Sequence, residues 1–162
     1  MKLLVSLLTT LSIALNSIPF NLSRQNPPRL LDAFILAYDA MYIDARAYET
    51  DYIILDMESF YFKDTTHEDR EKMIEYFRKY DKTVLNASLF KLQQIGLADK
   101  LGGLKISARV LMITNIQSND SQGIFIEGYN WGGSLAASYY RIHFKIVDNN
   151  WKIIKVELLG FS

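Results

Sequence analysis

Hydrophobic and polar residues alternate along the last third of the chain, between Gly123 and Leu159. The clearest alternation runs from Tyr139 to Val147, where apolar side chains occupy every second position. One face of this stretch carries Tyr140, Ile142, Phe144 and Ile146, and the other carries Tyr139, Arg141, His143 and Lys145. A period of two predicts a β-strand with one buried and one solvated face.

A second strand is predicted directly after the first. The sequence Asp-Asn-Asn at residues 148–150 separates them, and Asn tolerates the positive φ angles of a tight turn. The chain then returns over residues 151–159, where Ile154, Val156 and Leu158 alternate with Lys155 and Glu157. Because the turn is so short, the two strands are expected to pair antiparallel. With residues 123 onwards supplying another strand, the last third is predicted to form three strands in series.

Three helices are predicted before this sheet. Apolar residues recur at three- and four-residue steps over residues 29–45, which predicts a helix with one broad apolar face. A second helix is predicted over residues 66–80, because Thr65 and Glu68 match the pattern of a capping box. A third, shorter helix is expected to begin after Ser88, whose hydroxyl suits an N-cap.

Further extended segments are predicted between the helices and the terminal strands. Residues 52–56 and 104–116 have strand character, and residues 83–85 form a brief extended piece. Helices first and consecutive strands later predict the α+β class, with N-terminal helices packed on one face of a mainly antiparallel C-terminal sheet. Residues 29–162 are expected to form a single α+β domain, preceded by a linker at residues 21–28.

Composition and charge narrow the classes of partner. The chain has 162 residues, of which 49% are hydrophobic and 22% charged, and its 18 basic and 18 acidic side chains cancel. A nucleic-acid-binding protein normally carries a basic excess, so nucleic acid is not an expected partner. The chain contains no cysteine, which excludes a thiol nucleophile and a cysteine metal site.

The first residues resemble an export signal. Lys2 is followed by an apolar run without charge through Phe20, with small residues near its end. This pattern predicts a secretory signal peptide over residues 1–20 and hence a secreted or cell-envelope protein. The alternative is an uncleaved membrane anchor, because the run approaches the ~20 residues that span a bilayer. The membrane is an expected partner only if the segment is retained.

Only a few ionisable residues are candidates for a role in catalysis. The two histidines, His67 and His143, lie in separate predicted elements and form no metal-binding pattern. Asp56 and Glu58 would share a side of an extended segment, which permits acid–base work, but such spacing is common on any solvated strand. No catalytic residue, metal site or cofactor is predicted from these positions.

The most distinctive local feature is the loop Tyr-Asn-Trp-Gly-Gly-Ser at residues 129–134. Gly132 and Gly133 allow close backbone approach, and Tyr129 and Trp131 offer flat apolar surface. One interpretation is a loop that binds a ligand or partner at one end of the sheet. His143, on a neighbouring strand of the same predicted sheet, would then belong to the binding residues. The other is a hairpin whose Trp131 caps the core.

The order of elements and the closing hairpin, Asp-Asn-Asn-Trp-Lys-Ile-Ile-Lys-Val-Glu at residues 148–157, resemble the NTF2-like (cystatin-like) superfamily over residues 30–159. That resemblance implies a curved sheet that wraps a long helix and leaves a conical pocket. Enzymes of the superfamily use Asp, His or Tyr side chains in this pocket, and no such set can be matched here residue by residue. The chain is also similar to small exported bacterial proteins of unknown function.

Three classes of function follow. The favoured one is an exported, non-enzymatic binding module for a small apolar ligand or a protein partner, because no convergent catalytic set is present. The second is an NTF2-like pocket enzyme of the isomerase or dehydratase type, which requires Asp56 or His143 to point into a closed apolar cavity. The third is an envelope-anchored assembly or immunity-type protein.

Overall fold

The computed structural model describes residues 27–44, 49–119 and 123–162. The predicted signal peptide at residues 1–20 and most of the predicted linker lie outside the described residues, as does Ala45, the predicted end of the first helix. Within the described ranges, no helix is both long enough and apolar enough to cross a membrane.

The described elements follow the predicted order, with helices first and a strand meander last. In chain order they are α1 Leu30–Asp44, β1 Tyr52–Leu55, α2 His67–Phe77, β2 Thr83–Asn86, α3 Leu89–Gln94, β3 Ala108–Asn119, β4 Gly123–Trp131, β5 Ala137–Val147 and β6 Asn150–Phe161. Short 3₁₀ turns at Phe60–Phe62 and Arg78–Tyr80 flank α2.

The six strands of the described residues form one mixed sheet in the order β2-β1-β3-β4-β5-β6. Strands β2, β1 and β3 run parallel to one another, because β1 pairs in parallel with both of its neighbours. From β3 to β6 the chain runs as an antiparallel meander. The predicted α+β class is therefore confirmed, and the sheet is mainly antiparallel as expected.

Local sequence determines where α2 begins and where the chain turns between β5 and β6. Helix α2 starts one residue later than the predicted capping box: Thr66 is the N-cap, and Asp69 supplies the reciprocal side chain at the N3 position. The β5–β6 turn is made by Asp148 and Asn149, both of which have positive φ. Two such residues form the tight turn that matches the twist of a hairpin, as the sequence predicted.

One face of the sheet carries the main core, which α1 and α2 cover. Its fully buried members on the terminal strands include Ile142 and Phe144, and they pack with apolar residues of both helices. Side-chain hydrogen bonds to backbone carbonyls fix α1 across this face: Trp151 Nε1 to Arg29 O (3.0 Å), Tyr38 Oη to Asp56 O (2.7 Å) and Asn130 Nδ2 to Met41 O (2.9 Å). Helix α1 thus runs diagonally from the start of β6 to the end of β4.

The opposite face carries a second core, which the sequence pattern did not predict. On β1, Ile53 and Leu55 belong to the main core, whereas Ile54 between them belongs to a separate apolar cluster. Successive strand residues point to opposite faces, so this second cluster lies on the other side of the sheet. Leu92 of α3 and Val110 of β3 complete it. Helix α3 therefore packs over the parallel half of the sheet, on the face away from α1.

Strand β6 differs most from its predicted environment. It forms one edge of the sheet, and the side chains of Val156 and Leu158 are 44% and 52% exposed. Ile146, which the alternation assigned to the buried face of β5, is 43% exposed. Of the β6 residues, it is Trp151 that packs against the core under α1. Among the described residues, no helix buries Val156 and Leu158 farther along this edge.

Candidate binding site on the open sheet face

The face of β4, β5 and β6 opposite α1 forms the candidate site. Helix α3 covers this face only over the parallel half of the sheet. Residues directly opposite one another on paired strands share a face, and the register of β4 against β5 pairs Phe125 with His143, Glu127 with Arg141, and Tyr129 with Tyr139. Aromatic and charged side chains thus stand in two adjacent rows, which we call the open face.

Glu127 is the most buried ionisable group of the open face. Its side chain is only 8% exposed. Oε1 accepts hydrogen bonds from Arg141 Nε at 2.8 Å and Nη2 at 2.6 Å. Oε2 accepts hydrogen bonds from Asn115 Nδ2 and Tyr139 Oη, both at 2.9 Å. These bonds, first the one from Asn115 and then those from Arg141 and Tyr139, hold the pKa of Glu127 below its ordinary value despite burial.

His143 is also occupied by a neighbour. Its Nε2 lies 2.7 Å from Glu157 Oε2 on β6. Lys155 Nζ donates a hydrogen bond to the other oxygen of Glu157 at 2.5 Å. The contacts with Lys155 and then His143 lower the pKa of Glu157 to about 2. At neutral pH this carboxylate is therefore charged and bound to both neighbours, which leaves His143 a positioned polar residue of the open face.

A groove of about 250 Å³ lies at one end of the open face. Tyr129 and Tyr139 stack beside it, with ring centroids 4.6 Å apart and planes inclined by 25°. Gly160 lies opposite Tyr139 in the β5–β6 register, so no side chain fills the space above β6 at that position. The groove is completed by Ala137 and the chain end at Phe161 and Ser162. We call it the tyrosine groove.

The loop after β4 is held against the second core by Trp131. Trp131 Nε1 donates a hydrogen bond to Gly102 O at 3.0 Å, and its ring packs with the apolar cluster under α3. A Cβ at Gly132 would collide with the guanidinium group of Arg109. Gly133 has φ +137°, a conformation that favours glycine. These contacts agree with the interpretation in which Trp131 caps a core.

The predicted binding residues share a face but not a single depression. Trp131 lies opposite Ala137 on β5. Positions 137 and 143 on this strand are separated by roughly 20 Å, so Trp131 and His143 stand at opposite ends of the open face. Of the predicted set, Tyr129 borders the tyrosine groove. Tyr139 and Gly160, which also line the groove, were not among the residues predicted to bind.

The remaining ionisable candidates have local structural roles. Asp56 Oδ1 accepts a hydrogen bond from the backbone N–H of Glu58 at 3.1 Å, and burial raises the pKa of Asp56. Glu58 Oε2 accepts a hydrogen bond from the backbone N–H of Ser88, the N-cap of α3, at 3.1 Å. His67 is exposed at the start of α2. Among the described residues, no cluster of three or more His, Asp or Glu side chains is arranged to hold a metal ion.

A second, larger groove lies near the start of α1. It has a volume of about 560 Å³ and lies between the first turn of the helix and the β5–β6 hairpin. Pro27, the first described residue, forms part of its wall together with Trp151.

Comparison of the chain with protein-family models, with curated proteins and with solved structures finds no match. Inferences about function therefore depend on the geometry of the open face.

Proposed function

We propose that this protein is an exported, non-enzymatic binding module that holds an apolar side chain of a protein partner in the tyrosine groove. The observation that carries the proposal is the stacked pair Tyr129 and Tyr139 beside an unfilled space at Gly160. Aromatic surface around a small depression is the usual setting of an interface hot spot, because one inserted side chain loses most of its contact with water.

The size of the groove favours a side chain over a whole small molecule. Pockets for small ligands usually enclose ~300–1,000 Å³, whereas the tyrosine groove offers about 250 Å³. A small apolar ligand, the other partner predicted from the sequence, would fill it only in part or extend beyond it. An anchoring aromatic or branched aliphatic residue matches the space better.

The electrostatics of the open face favour binding over acid–base chemistry. A general acid or base needs a proton within reach of a substrate and a pKa near the working pH. Glu127 is instead surrounded by three donor residues, and its pKa is lowered. Glu157, the carboxylate beside His143, has its pKa lowered to about 2. Both groups are thus suited to a fixed, charged surface around an apolar groove.

Export is part of the proposal and is supported by the apolar segment at residues 1–20. The superfamily assignment also remains a prediction, supported by the helix-then-meander order and by the closing hairpin. Neither is needed for the groove to bind, so the groove is tested independently of both.

Substitution of Gly160 tests the groove directly. A Cβ at this position would meet no atom within 4 Å, so a side chain is accommodated without strain. Gly160→Leu is expected to fill the groove, and Gly160→Ala is the matched control that leaves it largely open. The probe is indole, which mimics a tryptophan side chain, with binding followed through backbone amide shifts in NMR spectra of the labelled full-length protein.

We expect indole to bind the wild-type protein with a dissociation constant on the order of 1 mM, as befits so small a ligand. The shifted amides should belong to Tyr129, Tyr139 and Gly160. Gly160→Ala should retain binding, and Gly160→Leu should weaken it by at least about tenfold, since the space for one apolar side chain is lost. Shifts that map elsewhere, or equal binding by both variants, would contradict the proposed function.

A further inference from the structure

The outer edge of β6 has the features of an interface. This strand spans Asn150–Phe161, and among the described strands it pairs with β5 alone. An edge strand presents a row of backbone N–H and C=O groups that can pair with another strand. Its apolar side chains Ile154, Val156 and Leu158 are all substantially exposed. The edge therefore has both the backbone groups and the apolar surface of an interface.

We propose that two copies of this chain pair antiparallel through β6, with Val156 on the two-fold axis, so that their sheets form one continuous sheet. In this register each residue faces the residue equally far on the other side of position 156. Lys155 of one copy faces Glu157 of the second copy, and the same pair forms again across the axis. Opposite charges placed directly across a strand pair are stabilising.

Apolar residues also flank the central charged pairs on both sides of Val156. The positions two, three and five residues away are apolar in each direction: Ile154 and Leu158, Ile153 and Leu159, Trp151 and Phe161. The residue-by-residue pairing applies only to Lys155, Val156 and Glu157, because bulges at Ile154 and Leu159 interrupt the alternation beyond them. A symmetric interface requires one surface to be complementary to itself. The sequence of β6 has this property around Val156.

Neighbouring registers lose this complementarity. A shift of one residue places side chains of opposite faces against each other, which exposes apolar residues on the solvated side. Centring the pair on Lys155 puts two lysines in contact, and centring it on Glu157 puts two glutamates in contact, which is destabilising. The register centred on Val156 avoids both, so the charges of β6 select one arrangement.

Two bulges set the limits of the regular part of this edge. The β5–β6 register shifts between His143 and Phe144 and again between Tyr139 and Tyr140. Bulges and lysines commonly protect an edge from pairing. Here the regular stretch between the bulges includes Lys155, Val156 and Glu157, and the lysine would face a carboxylate. The central contacts of the proposed pair thus lie where β6 is regular.

The absence of cysteine from the chain makes a direct test possible. Val156→Cys would place two thiols across the axis on Cα atoms about 4.5–5.5 Å apart, a separation that a disulfide spans. Lys152→Cys is the control on the same strand, because its two copies would be roughly 27 Å apart. Both full-length variants are oxidised under mild conditions, and the covalent dimer is followed on non-reducing gels.

Charge reversal tests the register by a separate measurement. Lys155→Glu places two carboxylates opposite each other at both symmetric positions, so the dimer dissociation constant in sedimentation equilibrium should rise about tenfold. Adding Glu157→Lys to this variant exchanges the charges and should restore association. Circular dichroism and thermal unfolding of each variant verify that the monomer is folded.

The expected result is rapid cross-linking of Val156→Cys, little of Lys152→Cys, and rescue of association by the double charge exchange. Equal cross-linking at positions 152 and 156 would overturn the proposal, as would a wild-type protein that stays monomeric. A sheet edge covered by residues 1–26 or by another protein would prevent cross-linking and would also count against it. None of these outcomes depends on indole binding, so failure here is distinguishable from failure of the proposed function.

Discussion

Replacing Phe144 by alanine should lower the free energy of unfolding by about 3–5 kcal/mol, whereas replacing Ile146 by alanine should cost about 1 kcal/mol or less. Phe144 is 0% exposed and packs in the core under α1. Its ring lies edge-on to the ring of Trp151, with the two ring centroids 6.4 Å apart. Its removal leaves a cavity that the surrounding residues fill only in part. Ile146 is 43% exposed, so its truncation removes few buried contacts.

The comparison is informative because the two residues are equivalent in the sequence pattern. Both lie on the apolar face of the same alternating stretch, and only the position of α1 distinguishes them. The measurement is urea denaturation of both full-length variants at neutral pH. Similar losses at the two positions would mean that the helix layer does not cover the sheet as described here.

Glu127→Gln should lower stability by about 2 kcal/mol at pH 7, because the neutral amide loses the ion pair with Arg141 and presents an NH₂ group to donors. The magnitude lies below that of a fully buried pair, since the side chain of Arg141 is 37% exposed. Glu75→Gln is the matched control. Glu75 pairs with Arg78 on the solvated surface of α2, and exposed pairs contribute about 0–1 kcal/mol.

The pH dependence of the Glu127 effect has a definite sign. The pKa of Glu127 is lower in the folded protein than its ordinary value, so its stabilisation is complete above that ordinary value. It is lost as the pH falls through the lowered pKa of the folded state, where wild type and Glu127→Gln should converge. A difference that stays constant through the acid range, or grows there, would contradict the described network.

Alternation in the sequence was enough to predict β5 and β6 as strands, but it was insufficient to predict what covers them. Val156 and Leu158 alternate with charged residues as regularly as Ile142 and Phe144 do, yet only the latter are buried. A period of two reports that side chains alternate between faces. It carries no information about which strand lies at the edge or how far a helix extends across the sheet.

Similar limits apply to the helices and the parallel strands. The sequence predicted α3 from its cap at Ser88, and the structure confirms this cap. The side of the sheet on which α3 packs depends on its connections to β2 and β3, which periodicity does not describe. The pairing of β1 with both β2 and β3 also joins segments that are distant in the chain, so no local pattern indicates it.

The candidate site was predictable only in part. Tyr129 was identified from the loop, but its stacking partner Tyr139 comes from the register of β4 against β5. The same register brings Arg141 to Glu127. A charged residue at each of two positions equidistant from Ser134, the last residue of the Tyr-Asn-Trp-Gly-Gly-Ser loop, was the available signal. Recognising it required the assumption of a hairpin centred on that loop.

Within the described residues, helices bury the centre of one face of the terminal sheet, around Ile142 and Phe144, while the opposite face is open and carries the tyrosine groove. Broadening of NMR signals by a neutral, soluble gadolinium chelate measures how close each side chain comes to solvent, and therefore tests both halves at once. We expect strong broadening for Phe125, Tyr129 and Tyr139 and little for Ile142 and Phe144. Equal broadening of the two groups, or the reverse order, would contradict this arrangement.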